Sequence, residues 1–386
     1  MSESIGAVLT VATTLAPFFD PTGISLAIFT IVSLALGFAE HPPQPDSHRQ
    51  TSFRIHMGLD SHGGQNKGGF IPDLRVWDER GNWLGAFWGD DKDVPAGDFI
   101  DFTIDLNEPH QPTYSLITAN ENDICIAYVT QTLATGEKYS WTGQWAQTCS
   151  KPWYFSSVVF DGQDELACAW LSMHHIDNKS VTAVQLHIHE FKYTKANNKS
   201  LEYFCAGNPT MKFYSDFDPS EIDRWETRTP ENMNRTRGIV HVPAQPDSRQ
   251  RHTRRSQENN SLYPEQHAPI SRASGPSNPH RAPPPHGSHH QNRPRSPHNS
   301  WLIKSRRGQR ASRLCADPSS RGPDFVSYSE GLFCNMETRE VLPLCDRAAG
   351  LVTGCFDDGA NVVKRSEVER GDVLDELGYD KVDEWL

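Results

Sequence analysis

The eight cysteines of this chain fall into two groups of four on either side of a segment that lacks the composition of a folded domain. The first group is Cys125, Cys149, Cys168 and Cys205, and the second is Cys315, Cys334, Cys345 and Cys355. If each group closes on itself, the possible pairings fall from roughly 105 to about nine. The pattern therefore predicts two disulfide-bonded modules joined by a linker.

The predicted linker, Glu231 to Arg310, is rich in Pro, Ser, Asn, Gln, Arg and His. Such a segment cannot bury enough apolar surface to offset its ordering entropy, so we expect it to be disordered. It carries 14 Lys or Arg against 4 Asp or Glu, whereas the whole chain has a net charge of −12. A basic spacer of this kind can touch phosphate or anionic polysaccharide without sequence specificity, and we expect no specific nucleic-acid partner.

An apolar leader precedes the first module. Pro21 to Ala39 carries no charge, and the small residues Gly37 and Ala39 suit signal peptidase. Two features depart from an ordinary signal peptide: the first residues lack Lys and Arg, and a second apolar stretch covers Ile5 to Phe19. A cleaved signal peptide is the main prediction for residues 1–39. An uncleaved membrane anchor through residues 21–39, or buried helices, are the alternatives.

Four sequons agree with export, because N-glycosylation occurs in the secretory pathway. Their acceptor residues are Asn178, Asn198, Asn234 and Asn259. Together with the even number of cysteines in each group, they favour an oxidising, extracellular location over the cytosol. The alternative is that the cysteines are free thiols in a core.

The region from Thr51 to Tyr214 has short runs of β-branched and aromatic residues separated by Gly, Asn and Asp, which is typical of a β-sandwich or jelly roll. Leu74–Trp77 and Trp83–Phe87 flank turn residues and predict a hairpin. Asp101–Leu106 alternates apolar and polar side chains, so it predicts a half-buried strand. The expected fold class is mainly β, with a sandwich domain over residues 51–214.

Three further strands are predicted in succession at Tyr114–Thr118, Ile124–Leu133 and Lys138–Thr148. If they pair with their neighbours, Cys125 and Cys149 lie opposite each other, within the Cα separation that a disulfide needs. That arrangement leaves Cys168 to pair with Cys205. A bulge near Gly143 would shift the register and change both pairs.

Seven of the ten tryptophans lie between Trp77 and Trp170, where they form either a core or a surface on which sugars stack. Core packing is the simpler interpretation. A sugar-binding face would require exposed, coplanar rings among five candidates, which are Trp83, Trp88, Trp141, Trp145 and Trp153.

Two stretches resemble a group of uncharacterised secreted proteins of filamentous fungi. The first contains Trp141, Trp145, Cys149, Trp153 and Tyr154, and the second runs from Gly322 to Ser327 and on through Phe333, Cys334, Leu342, Pro343, Leu344 and Cys345. The resemblance implies secretion and two modules. It brings no activity or catalytic residue with it.

A pair of histidines is the candidate for a metal site. His187 and His189 are two apart on the predicted strand Val181–Phe191, so their side chains share a face and could chelate a metal, with His174 or His175 as a third ligand. A polar, solvated strand face explains the same spacing. No cofactor is predicted.

Acidic residues cluster in the loops around the predicted strand at Asp101, namely Asp90, Asp91, Asp93, Asp98, Asp101 and Asp105. They could bind calcium or supply two carboxylates for glycoside hydrolysis, although their spacing matches no defined loop. Acidic turn residues that simply face water are the alternative, and Asp73, Asp78 and Glu79 are interpreted in the same way.

The second cysteine group predicts a small module over residues 311–360. Gly331–Cys334 and Glu340–Leu344 can form a hairpin joined by a Cys334–Cys345 disulfide, which a module this small would need for stability. From Val368 onward the apolar residues approximate one side of an acidic helix, so a C-terminal helix is predicted over residues 366–386.

These observations predict a secreted, disulfide-bonded binding or structural protein, monomeric, whose ligand is a cell-wall glycan or another protein. A membrane is a partner only if the leader is uncleaved. The alternative function is a carbohydrate-active hydrolase or a metal-dependent enzyme, and no residue is identified as catalytic.

Overall fold

The computed structural model describes residues 41–59, 69–89, 92–94, 99–120, 122–158, 166–173, 180–192, 199–216, 218–226, 237–243, 300–365 and 378–386. The leader, the four sequon asparagines, His174, His175 and most of the predicted linker lie outside these ranges. Within these ranges, no helix is both long enough and apolar enough to cross a membrane.

The first sheet has six strands. They are β1 (Gln50–Met57), β4 (Phe99–Asp105), β6 (Ile124–Leu133), β7 (Lys138–Thr142), β8 (Trp153–Phe155) and β9 (Ala167–Leu171). Their order is β4-β1-β6-β9-β8, and β7 also pairs with β6. Every pairing is antiparallel.

The second sheet has five strands, which are β2 (Asp73–Trp77), β3 (Trp83–Phe87), β5 (Tyr114–Thr118), β10 (Ala183–His187) and β11 (Met211–Tyr214). Their order is β11-β10-β5-β2-β3. Phe53 and Val129 of the first sheet share one buried core with Leu74, Ile117 and Val184 of the second. The mainly β class with a sandwich domain is therefore confirmed, and we call residues 41–243 the N-terminal sandwich.

The hairpin predicted from its turn residues is present. Strands β2 and β3 pair antiparallel across Asp78–Asn82. The Asp78 carboxylate accepts hydrogen bonds from the backbone N–H groups of Arg80 (2.9 Å) and Asn82 (2.8 Å), which is the usual role of an aspartate in a turn.

The prediction of three neighbouring strands after Tyr114 is wrong in two respects. Strand β5 belongs to the second sheet, so only β6 and β7 pair. The third strand ends at Thr142, and a short helix, α1 (Gln144–Thr148), follows it. Gly143 is the cause, because a Cβ there would lie 2.2 Å from the Ile126 carbonyl oxygen and 2.4 Å from the Ala169 nitrogen. Only glycine permits this close approach, and the chain leaves the sheet at that point.

Four disulfides join all eight cysteines, and none crosses between the two groups. The bonds are Cys125–Cys168, Cys149–Cys205, Cys315–Cys334 and Cys345–Cys355. The predicted pairs Cys125–Cys149 and Cys168–Cys205 are therefore wrong. Because β6 and β9 are neighbours, Cys125 reaches Cys168, while α1 carries Cys149 to the end of a second helix, α2 (Leu201–Cys205).

Residues 300–386 form what we call the C-terminal lobe. Its strands are β14 (Trp301–Ser305), β15 (Asp324–Ser327), β16 (Leu332–Asn335), β17 (Glu340–Pro343) and β20 (Lys381–Trp385), in the order β17-β16-β15-β14-β20. Strand β14 is parallel to both of its neighbours. A helix, α3 (Ala311–Ala316), and a hairpin of β18 (Cys355–Asp357) and β19 (Val362–Lys364) complete the lobe.

Two segments of the predicted linker form strands where the structure describes it, so the prediction of a linker without structure over residues 231–310 is wrong for residues 237–241 and 301–305. Strands β12 (Glu221–Trp225) and β13 (Arg237–His241) form a separate two-stranded sheet. At the other end, β14 lies in the middle of the C-terminal sheet rather than in a spacer. Leu302–Ser305 are all buried, and this burial offsets the entropy that is lost when the strand is ordered.

The hairpin predicted in the second cysteine group is present as β16 and β17, but its predicted Cys334–Cys345 disulfide is wrong. Cys334 lies opposite Val341 in the ladder, so Cys345 falls beyond the end of the hairpin. The buried Cys334 side chain instead faces α3 and bonds to Cys315.

The predicted C-terminal helix is also wrong where the structure describes it. Lys381–Trp385 is a strand, parallel to β14. Asp383 and Trp385 are buried, whereas Val382 and Glu384 are exposed. Burial therefore repeats every two residues, as in a strand, and not with the 3.6-residue period of a helix.

The N-terminal sandwich and the C-terminal lobe are not separate bodies on a tether. Ile303, Leu314, Phe325 and Trp385 belong to the same buried core as the sandwich strands. The Tyr154 hydroxyl donates to the Pro323 carbonyl oxygen (2.9 Å) across this contact. The two cysteine groups thus close their disulfides separately but fold against each other.

Candidate functional site

The tryptophans do not form the exposed row that sugar stacking would need. Trp141, Trp145 and Trp153 are buried in the core, and Trp83 and Trp88 are half-buried. Trp83 packs edge-on against Trp77 with ring centroids 5.4 Å apart. The proposed stacking role of the three buried rings is therefore wrong, because large aromatic side chains supply the burial that the sandwich core requires.

The described aspartates of the acidic cluster are used in local contacts. Asp101 forms an ion pair with Arg54 (Oδ1 to Nε 2.7 Å), and Asp105 accepts a hydrogen bond from Gln50 (2.8 Å). Asp93 forms an isolated β-bridge with Phe70. Asp90, Asp91 and Asp98 lie outside the described residues. The described members are not gathered into a single carboxylate site.

His187 lies at the centre of a polar network that we call the His187 cluster, made up of Glu79, His187, Glu190, Lys199 and Tyr203. His187 Nε2 is 2.8 Å from Glu79 Oε2, and His187 Nδ1 is 3.4 Å from Glu190 Oε1. The Glu190 carboxylate also pairs with Lys199 and accepts a hydrogen bond from the Tyr203 hydroxyl (3.0 Å). The cluster therefore fastens the β2–β3 turn to the segment that links β10 and α2.

Burial and hydrogen bonding shift the pKa values of His187 and Glu190 in opposite directions. Burial alone would lower the pKa of His187, but its hydrogen bonds to Glu190 and Glu79 raise it above the usual 6.5. Burial would raise the pKa of Glu190, but hydrogen bonds from His187 and Lys199 hold it well below the usual 4.5. Glu190 thus stays ionised and fully paired, which suits a structural role and prevents it from donating a proton.

His189 does not complete a metal site with His187. It lies in a 3₁₀ turn (Ile188–Phe191) after β10, its ring stacks on Tyr139, and its centroid is 5.9 Å from that of His187. Burial and the nearby His187 lower the pKa of His189 to about 4. Within the part of the chain that the structure describes, no three His, Cys, Asp or Glu side chains are grouped to hold a metal ion.

A groove of about 380 Å³ lies where the outer strands β8 and β11 of the two sheets approach the C-terminal lobe. We call it the Lys151 groove. Its lining residues are Ser150, Lys151, Pro152, Ser180, Val181, Phe213, Tyr214, Ser215, Ser319 and Arg321. The volume falls within the range of small-molecule sites, about 300 to 1,000 Å³.

Backbone hydrogen bonds join the segments that line the Lys151 groove in two pairs. The Arg321 N–H donates to the Trp153 carbonyl oxygen (2.8 Å), so the lobe residues Ser319 and Arg321 run beside β8. The Thr182 N–H donates to the Tyr214 carbonyl oxygen (2.8 Å), which joins the Ser180 segment to the end of β11. The groove is therefore built on hydrogen-bonded backbone from four separate parts of the sequence, at residues 150–152, 180–181, 213–215 and 319–321.

The lining is chemically distinctive. It contains four serine hydroxyls, the half-buried ring of Phe213 and two cationic side chains, Lys151 and Arg321. None of the ten lining residues is acidic. Such a surface offers hydrogen bonds and an apolar ring face together, as a site for a polyhydroxylated ligand needs.

Ser150 adopts a backbone conformation that favours glycine, with φ of 53°. It follows α1 at a helix end where the Lys151 N–H bonds to the Ala146 carbonyl oxygen (2.8 Å) and the Ser150 N–H to that of Gln147 (3.1 Å). Glycine is the usual residue at this position of such a helix ending. A serine here places a hydroxyl group at the edge of the groove at some cost in stability.

Comparisons with known proteins do not identify this site. No protein-family model matches the chain, and no curated protein sequence matches it. Among solved structures, three crystal structures of LOX variants are similar over 24% of this chain and 14% of the LOX chain, at 13% identity and a TM-score of 0.20. The chain thus spans a small part of the LOX structures that it matches.

Proposed function

We propose that this protein is an extracellular glycan-binding protein and that the Lys151 groove is its binding site. The groove carries the proposal, because serine hydroxyls and an aromatic ring line a cavity of suitable size on fixed backbone. Sugars present hydroxyl groups at their edges and apolar C–H groups on their faces, so both kinds of lining group can be used at once.

The disulfides support the extracellular part of the proposal. Four bonds and no free cysteine are typical of secreted proteins, because thiols stay reduced in the cytosol. In this proposal the apolar leader is a signal peptide, and the resemblance to secreted fungal proteins reflects the same location. The hydrolase alternative gains no comparable support, because the groove lining has no carboxylate.

The experiment is a glycan-array measurement with the secreted full-length protein, in which Ser215→Trp blocks the groove. Ser215 is exposed at the rim, so an indole there fills the groove without disturbing the core. Ser220→Trp is the matched control, because Ser220 is exposed but lies outside the groove. We expect Ser215→Trp to weaken glycan binding by at least about tenfold, which corresponds to losing about 1.4 kcal/mol.

Two results contradict the proposal. One is that no glycan binds above background to the unaltered protein. The other is that Ser215→Trp and Ser220→Trp bind glycans equally well, which places any binding outside the groove.

A further inference from the structure

We infer that the glycan bound in the Lys151 groove keeps two neighbouring hydroxyl groups free on its internal sugars, and that the backbone of Phe213 binds this pair. This inference rests on the proposed function and names the ligand class of the same site. Its basis is the direction of the backbone groups along β11, which borders the groove.

Strand β11 is the last strand of the second sheet, and β10 is its only neighbour among the described strands. In an antiparallel pair, successive residues of an edge strand turn their backbone N–H and C=O groups alternately toward the neighbouring strand and away from it. The His187 N–H donates to the Thr210 carbonyl oxygen (2.9 Å), and the Thr182 N–H donates to that of Tyr214 (2.8 Å). The backbone groups of Thr210 and Tyr214 therefore face β10. Those of Phe213, which lies an odd number of residues from each, face away from it.

The outward-facing backbone groups of Phe213 are open to the groove. Phe213 is one of the lining residues, and among the described residues no backbone hydrogen bond outside the strand ladders involves its N–H or C=O. The other sheet edge at the groove is already paired, because the Arg321 N–H donates to the Trp153 carbonyl oxygen (2.8 Å) in β8. Of these two outer strands, β11 is therefore the one whose backbone can bind a ligand.

The open groups of Phe213 match one particular feature of sugars. The N–H and C=O groups of one extended residue lie side by side and point the same way, so they present one donor next to one acceptor. Two hydroxyl groups on adjacent ring carbons fit this arrangement, because one oxygen accepts from the N–H while the other O–H donates to the C=O. Two hydroxyl groups separated by a substituted carbon do not fit it. The half-buried Phe213 ring and the serine hydroxyls remain for the C–H face and the other hydroxyl groups of the same sugar.

An extended peptide is the other ligand that presents a donor and an acceptor side by side, but it binds a sheet edge through a run of outward-facing residues. Met211, the preceding residue of this kind, already donates its N–H to the Asn208 carbonyl oxygen (3.0 Å). The run is therefore interrupted one step before Phe213, which favours a single sugar unit over an added strand.

The experiment is isothermal titration of the full-length protein with two neutral glucans, cellohexaose and a long linear β-1,3-glucan, at concentrations expressed per glucose unit. Internal units of the first keep the 2- and 3-hydroxyl groups. Internal units of the second are substituted at position 3 and keep no neighbouring pair. We expect cellohexaose to bind at least about fivefold more tightly, since it forms one further hydrogen bond between neutral groups.

Two variants assign this preference to the backbone of Phe213. Phe213→Pro removes the N–H, and Phe213→Ala removes the same ring but keeps the N–H. We expect Phe213→Ala to weaken both glucans by a similar factor and to keep the preference for cellohexaose, whereas Phe213→Pro should reduce the preference to about twofold or less. Ser220→Trp, which lies outside the groove, should keep both the affinity and the preference.

Thermal unfolding tests the direction of the backbone without a ligand. Proline is tolerated in an edge strand where the missing N–H would face out of the sheet, so Phe213→Pro should melt within about 3 °C of Phe213→Ala. The backbone groups of Lys212 face β10, so Lys212→Pro should melt at least about 5 °C below Lys212→Ala. Equal losses in the two proline variants would place the Phe213 N–H inside the ladder and overturn the inference.

The outcomes separate this inference from the proposed function. If both glucans bind equally, or if Phe213→Pro and Phe213→Ala keep the same preference, the role of the Phe213 backbone is wrong while glycan binding stands. The same holds if neither glucan binds but other glycans bind on the array. If a blocked tetraglycine peptide binds more tightly than cellohexaose, the edge takes a strand and not a sugar. If no glycan binds, both proposals fail.

Discussion

Replacing Glu190 by glutamine tests whether the His187 cluster stabilises the fold through charge. The amide side chain would keep an oxygen that can accept the hydrogen bond from Tyr203 but would lose the negative charge that pairs with His187 and Lys199. The Glu190 and His187 side chains are 7% and 5% exposed, so solvent screens their interaction little. The change therefore isolates the electrostatic part of the network.

The expected loss of stability in Glu190→Gln follows from how exposed the two partners of Glu190 are. The His187–Glu190 contact is a buried ion pair with 3.4 Å between Nδ1 and Oε1, and losing a charge-assisted contact of this kind costs about 1.5 to 3 kcal/mol. Lys199 is 30% exposed, and an exposed ion pair contributes about 0.2 to 1 kcal/mol. We expect Glu190→Gln to lower the free energy of unfolding by about 2 to 4 kcal/mol at about pH 6, a large part of the typical 5 to 15 kcal/mol.

The effect must depend on pH in a definite direction. The folded-state pKa of His187 is raised above 6.5, so its contribution is present below 6.5 and is lost as the pH rises through the folded-state value. The pKa of Glu190 is lowered below 4.5, so its contribution is present above 4.5 and is lost as the pH falls through the folded-state value. The network is therefore strongest in mildly acidic solution, and the cost of Glu190→Gln should fall by about 1 kcal/mol or more between about pH 6 and about pH 9.

Urea unfolding followed by tryptophan fluorescence measures these differences. Glu79→Gln removes the other carboxylate on His187, but Glu79 is 50% exposed, so the expected cost is below about 1 kcal/mol. Glu108→Gln, an exposed glutamate outside the cluster, is the control and should change stability by less than about 0.5 kcal/mol. A cost for Glu190→Gln no larger than that of Glu108→Gln, or one that is equal at both pH values, would refute the electrostatic reasoning.

Two further predictions concern the groove and the contact between sandwich and lobe. Ser150→Gly should raise the free energy of unfolding by about 0.5 to 1 kcal/mol, because the φ angle of 53° at this position favours glycine. Ser215→Gly, at an exposed position of ordinary φ, is the control and should not raise it. Thermal unfolding measures both variants, and equal effects would contradict the claim that the Ser150 backbone is strained. Cleavage at a sequence-specific protease site inserted in residues 244–299 should give two fragments that elute together in native gel filtration, because they share one core. In denaturant without reductant the fragments should separate, because no disulfide joins the two cysteine groups. Fragments that separate under native conditions would show that the shared core does not hold them.

The elements that the sequence predicts well are those fixed by local chemistry. The β2–β3 hairpin is predictable because Asp78, Gly81 and Asn82 determine the turn and the flanking residues are β-formers. The β16–β17 hairpin is predictable for a similar reason. The division of the cysteines into two closed groups also follows from their positions along the chain.

Disulfide partners are not predictable in this way because they depend on contacts between distant strands. The expected Cys125–Cys149 bond assumed that Lys138–Thr148 continues as one strand. That assumption fails at Gly143, because the backbones of β6 and β9 lie so close to this residue that no side chain would fit there. Nothing in the local sequence shows that Cys168 will lie beside Cys125, since the β6–β9 pairing joins residues 43 to 47 positions apart.

The Lys151 groove cannot be predicted from the sequence, because its lining residues are far apart along the chain. One local pattern could nevertheless have indicated it. Trp153, Tyr154 and Phe155 are consecutive aromatic residues in β8, and a half-solvated strand would bury only alternate ones. All three are buried, so β8 must be covered on both faces and on its outer side. The C-terminal lobe supplies that cover through Phe325 and through the residues beside Trp153.

The cover on β8 connects the fold to the proposed site. An uncovered β8 would expose both aromatic surface and unpaired backbone groups, which are the usual cause of association between sheet edges. Ser320 and Arg321 pair with Trp153 along this edge, and in doing so they place Ser319 and Arg321 beside Lys151. The contact that protects the sheet edge is thus the same contact that completes the groove. For this reason the residues that line the groove cannot be assigned to either cysteine group alone.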